Sequence, residues 1–143
     1  MQDSREEMTV GIIAGGGQFP RLIAQEARRK GLSTVVCGFH GNTDPELETL
    51  ADAFQLLHLG QLNKLLAWFH EHGVRRLCMA GTINKPRALD FRPDFRAARV
   101  IFSLRTKGDD SLLRAVLEEL EKEGFHIVSA ADIVPSLRCP RGT

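Results

Sequence analysis

Several features that would point quickly to a function are missing from this sequence. Its three cysteines, Cys37, Cys78 and Cys139, stand apart and form no Cys-x-x-Cys pair. Cys37 and Cys78 sit in apolar runs, as small buried thiols do, which suits a reducing compartment. No apolar run approaches the roughly 20 residues that a membrane span requires. The opening "MQDSREEM" is acidic, with no hydrophobic stretch behind a basic flank, so no signal peptide is visible. The formal net charge is only +1, which gives no global pull toward nucleic acid or a membrane, so any electrostatic site must be local. Aromatic and basic residues are not interleaved as a single-strand nucleic-acid platform would require. His70 and His72, two positions apart, face different sides of a helix and make no zinc pair. No Ser-His-Asp or Cys-His arrangement, internal repeat or low-complexity tract can be argued.

What is present fits one soluble domain. With 143 residues, 43% apolar and 26% charged, the chain can bury roughly 70% of the surface its unfolded form exposes. Residues 1–8 read as a polar tail, 9–137 as the domain and 138–143 as a second tail. Within the domain, short β-branched runs alternate with helical stripes. Strands are expected at 9–14, 33–39, 53–59, 74–81 and 126–130. Helices follow the glycine turn, and others cover Leu62 to Phe69, about Asp94 to Leu104, and "SLLRAVLEELEKEG". The pattern predicts an α/β fold: a Rossmann-like, doubly wound parallel sheet of about five strands with helices on both faces.

The most informative stretch is "GIIAGGGQFPRLIAQEA", Gly11 to Ala27. Strand, glycine turn and helix is how many nucleotide folds begin. A dinucleotide fingerprint needs G-x-G-x-x-G and an acid about 20 residues later to hold the ribose. Gly15 and Gly17 match, but Pro20 occupies the last glycine position and strand two ends "VVCGFHG" with no acid. NAD is therefore disfavoured. A P-loop fails too, because no Gly-Lys-Ser/Thr follows. What survives is a turn whose backbone N–H groups can approach an anion at a helix start. The plain alternative is a tight corner with no ligand.

A second segment bears on the choice. If the strand order is 3-2-1-4-5, strands one and four are neighbours where the order reverses, and their trailing segments border one crevice. Strand four is followed by "GTINKPRALDFRP", with Gly81, Thr82, Asn84, Lys85 and Arg87. From Lys85 to Lys107 there are seven basic residues against Asp90 and Asp94, a local excess that points to an anionic partner. Arg92, Arg96 and Arg99 fall at helical spacing and are expected to face water. His40, after strand two, lies near the crevice mouth and could help bind; His58 and His126 read as structural. Asp109 and Asp110 in "KGDDSLL" are either a helix cap with a first-turn charge or carboxylates for Mg2+.

Taken in order, "GIIAGGGQFPRLIAQEARRKG", "GNTDPELE", "LGQLNKLLAWFHEHGV", "MAGTINKP" and "KGDDSLLRAVLEELEKEGFHIV" resemble the amino-terminal half of the LpxI-type UDP-2,3-diacylglucosamine diphosphatases over most of residues 9–137. The resemblance implies a hydrolase of lipid A biosynthesis that converts UDP-2,3-diacylglucosamine to 2,3-diacylglucosamine 1-phosphate and UMP with a divalent metal such as Mg2+. It implies a substrate-positioning domain, with Gly15, Gly16, Gly17, Gln18, Phe19, Gly81, Thr82, Lys85, Arg87, Asp109 and Asp110 as the substrate-binding set. The expected location is cytoplasmic, peripheral on the inner membrane, with no nucleic-acid partner; a homodimer stays open. The family is longer, and its second domain carries the catalytic and metal-binding carboxylates. "PSLRCPRGT" stands where that half would begin. No catalytic residue is therefore assigned here, and the chain alone is expected to be inactive, the metal being held mainly by the missing carboxy-terminal domain. The alternative is a stand-alone module that binds a nucleotide or nucleotide sugar without cutting it.

Overall fold

A computed structural model of the protein describes residues 9–58, 60–81, 94–107 and 112–129. The elements, in order, are β1 (Thr9–Ala14), α1 (Phe19–Arg29), β2 (Ser33–Phe39), a 3-10 helix (Pro45–Thr49), β3 (Ala53–Leu57), α2 (Leu62–Glu71), β4 (Arg76–Ala80), α3 (Phe95–Lys107), α4 (Leu112–Lys122) and β5 (His126–Val128). The strands form one sheet in the order β3-β2-β1-β4-β5, every pair parallel. This is the α/β, Rossmann-like architecture expected, with the reversal of order between β1 and β4.

β1 is central, so both of its faces must be apolar. Val10, Ile12 and Ala14 pack with Val36, Cys78 and Ala80 beneath Ile23 and Ala24 of α1 and Leu47 of the 3-10 helix. On the opposite face Ile13 joins Val35, Cys37, Phe39 and Leu77 beneath α2, α3 and α4. The buried positions of α1 are Pro20, Ile23, Ala24 and Ala27, and those of α2 are Leu62, Leu65, Leu66 and Phe69. Both sets follow the i, i+3, i+4, i+7 stripe of a helix lying on a sheet. Gly11 makes room for this layer: a Cβ there would stand 2.5 Å from Leu77 Cδ2 and 2.8 Å from a ring carbon of Phe69. Phe69 is fully buried, and burying a side chain of its kind stabilises by about 1.5–3 kcal/mol.

Three helices stop in the same way. Gly31, Gly73 and Gly124 take positive φ, and the next residue in each case donates its N–H back to the helix: Leu32 to Ala27, Val74 to Phe69, Phe125 to Leu120. This Schellman arrangement satisfies carbonyls that would otherwise be orphaned. It also explains why β4 begins at Arg76 instead of residue 74, since the Val74 N–H is spent on closing α2. β3 likewise stops at Leu57, because His58 N–H has turned to the Gln61 side chain at 2.8 Å. α3 continues three residues past its expected end at Leu104.

Separate polar fasteners hold the two faces. Arg21 of α1 reaches Glu46 at 2.8 Å and Asp44 at 3.5 Å. On the other face Arg96 of α3 bonds Glu119 at 3.2 Å and Glu123 at 3.1 Å, and His70 of α2 stands 3.4 Å from Glu123. Arg96 therefore turns inward onto α4, a correction to the expectation that it faces water; Arg99 is exposed as expected. Cys37 and Cys78 are free and buried, and burial pushes the Cys37 thiol up to about 12, which keeps it unreactive near neutral pH. No helix among the described residues is long and apolar enough to cross a membrane.

The hydrogen bond from Arg96, followed by that from His70, holds the Glu123 carboxyl below its ordinary value. Its contribution to stability is thus present above that value and is lost as pH falls through the lowered one. Chemical denaturation of wild type and Glu123→Gln should show a stability gap at neutral pH that closes as pH falls below the ordinary glutamate range.

Candidate functional site

The carboxyl ends of β1 and β4 meet side by side, with Ala14 paired to Ala80. From there the two chains diverge, but not at once. Gly15 N–H donates to Ala80 O at 2.7 Å, and Gly81 lies directly against the glycine turn. Gly81 has φ +90°, and a Cβ there would sit 2.5 Å from Gly16 O, 2.9 Å from Gly15 C and 3.0 Å from Pro20 Cγ. Only glycine satisfies both the dihedral and the space. The glycine that opens the segment after β4 is thus part of the corner that follows β1.

The corner then enters α1. Gly17 has φ +88° with open space around its α-carbon. Gln18 stands at the N-cap but makes no side-chain cap hydrogen bond, and the first turn holds no acidic residue. Pro20, in the first turn, needs no N–H partner there. The last turn carries Arg28 and Arg29, so charge complements the helix dipole at its carboxyl end, whereas the first turn carries Arg21 and no acid. Phe19 and Leu22 are exposed on the same turn, at 41% and 45%.

Other helix starts at this rim are handled differently. Asp94 accepts from Ala97 N–H at 2.9 Å and thereby caps α3. Its second carboxylate oxygen accepts from Asn63 N–H in the first turn of α2, at 2.5 Å, and its own N–H reaches Gly60 O at 3.0 Å. Asp44 caps the 3-10 helix through Glu46 N–H at 2.9 Å. A side-chain carboxylate therefore serves each of these three starts, whereas among the described residues none caps α1.

The loop after β2 is braced to the corner from the other side. The Thr43 hydroxyl accepts from Phe39 N–H at 2.8 Å and donates to Ala14 O at 2.6 Å. Thr43 is buried, and a buried hydroxyl with both roles filled holds two strand ends in fixed relation. Beyond the brace, His40 is exposed and packs its ring on His58, centroids 4.5 Å apart.

Of the residues named from sequence, Gly15, Gly16, Gly17, Gln18, Phe19 and Gly81 come together here. Thr82, Lys85, Arg87, Asp109 and Asp110 lie outside the described residues. The roles of Thr43 and Asp94 were missed. Asp-Pro at 44–45 and Asp94 before an apolar stripe are readable cap signals, but the bonds to Ala14 and Asn63 span 29 and 31 residues and leave no local trace. Among the described residues no cluster of three or more His, Cys, Asp or Glu could hold a metal.

Comparison with known proteins decides the family. A family model for the LpxI N-terminal domain matches residues 9–137. The chain belongs to the LpxI family. It is also similar to the UDP-2,3-diacylglucosamine pyrophosphatase LpxI of Caulobacter vibrioides, with 35% identity over 136 residues. That match takes in 93% of this chain and 48% of the relative, so the chain spans about half the length of the curated relative it matches. The matched interval contains every strand of this LpxI-family sheet, the whole glycine corner and Gly81.

Gly81→Ala and Gly17→Ala separate dihedral strain from crowding. Gly17→Ala should cost about 1–2 kcal/mol from its left-handed φ alone. Gly81→Ala should cost more, because a backbone oxygen must also give way. Thermal unfolding of both variants measures the difference, and amide spectra should show Gly81→Ala shifting the resonances of Gly15 and Gly16.

Proposed function

We propose that this domain positions the diphosphate of UDP-2,3-diacylglucosamine for hydrolysis to 2,3-diacylglucosamine 1-phosphate and UMP. The observation that supports this most directly is the α1 start: an uncapped, acid-free helix N-terminus set against Gly81 at the reversal of strand order. Backbone N–H groups and the positive end of the helix dipole favour a phosphate there without a side-chain cation. The substrate itself is taken from the Caulobacter relative, which is named as a pyrophosphatase of that compound.

In this reading Gly15, Gly16 and Gly17 bring backbone close to the phosphate oxygens, while Gln18 and Phe19 line the approach. Gly81 fixes where the following segment starts, and Asp94 fixes where it returns to the rim. Thr82, Lys85 and Arg87 follow Gly81 in the sequence, and we assign the Thr82 hydroxyl and the Lys85 and Arg87 cations to the same diphosphate. Asp109 and Asp110 remain in the proposed substrate-binding set. In-line attack on a diphosphate requires charge neutralisation on the phosphate oxygens. The described residues supply amides and a helix dipole; they do not supply the oxygen cluster that Mg2+ prefers. The metal and the catalytic carboxylates are accordingly assigned outside them, in the further half that the longer relative possesses, and no step is routed through them here. For such an acylated substrate we assign the work to the cytoplasmic face of the inner membrane.

Turnover of UDP-2,3-diacylglucosamine with Mg2+ tests the division of labour. The expected result is binding without hydrolysis by this chain alone, and hydrolysis when the second half of an LpxI homologue is supplied. Vigorous turnover by the chain alone would refute the assignment of chemistry elsewhere. Binding with no product, even with that half present, would favour a nucleotide-sugar binding module.

Gln18→Asp gives opposite signs for fold and ligand. An acid at the start of α1 should stabilise the helix by about 0.3–1 kcal/mol. The same charge should weaken diphosphate binding at least several-fold, because it meets the phosphate at close range. Denaturation and calorimetric titration with UDP measure the two effects.

A further inference from the structure

Among the described residues the exposed His40 ring enters no side-chain hydrogen bond or ion pair, yet its position is closely determined. β2 and β3 run in register up to Phe39 and Leu57, and the two histidines that follow leave the sheet together. His40 N–H still bonds Leu57 O at 2.9 Å, and His58 N–H bonds the Gln61 side chain at 2.8 Å. Their rings lie 4.5 Å apart between centroids at an interplanar angle of 35°. His58 is half-buried and supports His40, which is exposed. The ring therefore rests on a second ring and keeps surface turned outward.

Its relation to the glycine corner follows from register. β1 and β2 pair Ile13 with Cys37, and Gly16 and His40 each follow three residues later, just past the ends of the two strands at Ala14 and Phe39. Strand spacing is about 4.8 Å, and the Thr43 hydroxyl ties the two strand ends through Phe39 N–H and Ala14 O. In open parallel sheets a nucleotide lies with phosphate on the first glycine turn and nucleoside over the end of the next strand. Dinucleotide proteins place a ribose-binding acid at that strand end. Here the residue is His40.

We propose that the His40–His58 ring pair is the nucleobase platform of this site, with the pyrimidine of a uridine nucleotide stacked on His40. The inference rests on the diphosphate reading above and adds the direction in which the substrate lies. Histidine rings are among the flat polar surfaces on which unpaired bases stack. An acyl chain has no such need for a planar polar partner, and exposed apolar side chains, Phe19 and Leu22, stand instead on α1. With uridine over β2 and β3, the acylated sugar leaves the corner on the β4 side.

Titration of the full chain with UMP and, separately, with inorganic pyrophosphate tests this. His40→Ala should weaken UMP about tenfold and leave pyrophosphate unchanged. His40→Phe, which keeps a flat ring, should restore most of the UMP affinity. In wild type, UMP should move the His40 ring proton resonances upfield, and pyrophosphate should not. Unchanged UMP affinity in a folded His40→Ala variant would overturn the platform, as would equal loss of both ligands or the absence of ring shifts. If wild type binds pyrophosphate but UMP no better, the platform fails and the diphosphate site stands. If it binds neither, both fail together.

Discussion

The contact on which this domain's architecture turns is the one between Gly81 and the peptide of Gly15 and Gly16. Two parallel strands that end side by side normally send their chains apart immediately. Here Gly15 N–H donates one further bond to Ala80 O, and Gly81 then presses its bare α-carbon onto the Gly16 carbonyl. Both the first α/β turn and the segment after β4 are thereby committed to one point on the rim. A side chain larger than hydrogen at residue 81 would push them apart and open the sheet at its reversal.

Around that point the fold allots its negative charge selectively. Asp94 satisfies the starts of α2 and α3 with one carboxylate, and Asp44 satisfies the 3-10 helix. Arg21, the nearest cation on α1, is held by Asp44 and Glu46. Among the described residues, no side-chain acceptor caps the α1 start. A carboxylate placed there would have stabilised the helix, as it does elsewhere on the same rim. Its omission fits a position that an external anion fills.

Much of this was legible in the sequence, for identifiable reasons. Strand and helix identity followed from apolar period, and the stops at Gly31, Gly73 and Gly124 from the need for positive φ. The strand order entered the sequence reading only as a condition of the doubly wound fold, and the sheet meets that condition. The misreadings are local and have causes: Val74 and His58 look like strand residues, but their N–H groups had been claimed by α2 and by Gln61. The site was only half legible. The glycines announced themselves, whereas the second bond of Asp94, the Thr43 brace and the inward turn of Arg96 join residues more than 20 positions apart. Composition carries no record of such pairings.

The fasteners of the two layers are independent of one another. Arg21 with Asp44 and Glu46 belongs to the face covered by α1, while Arg96, Glu119, Glu123 and His70 belong to the face covered by α2, α3 and α4. Neither set shares a residue with the other. Subglobal opening can therefore peel one layer while the sheet and its opposite cover stay shut, which is the behaviour of two foldons on a common floor. Amide exchange would then fall into two classes divided by the plane of the sheet, with the slowest protons on β1, the strand that both layers shield.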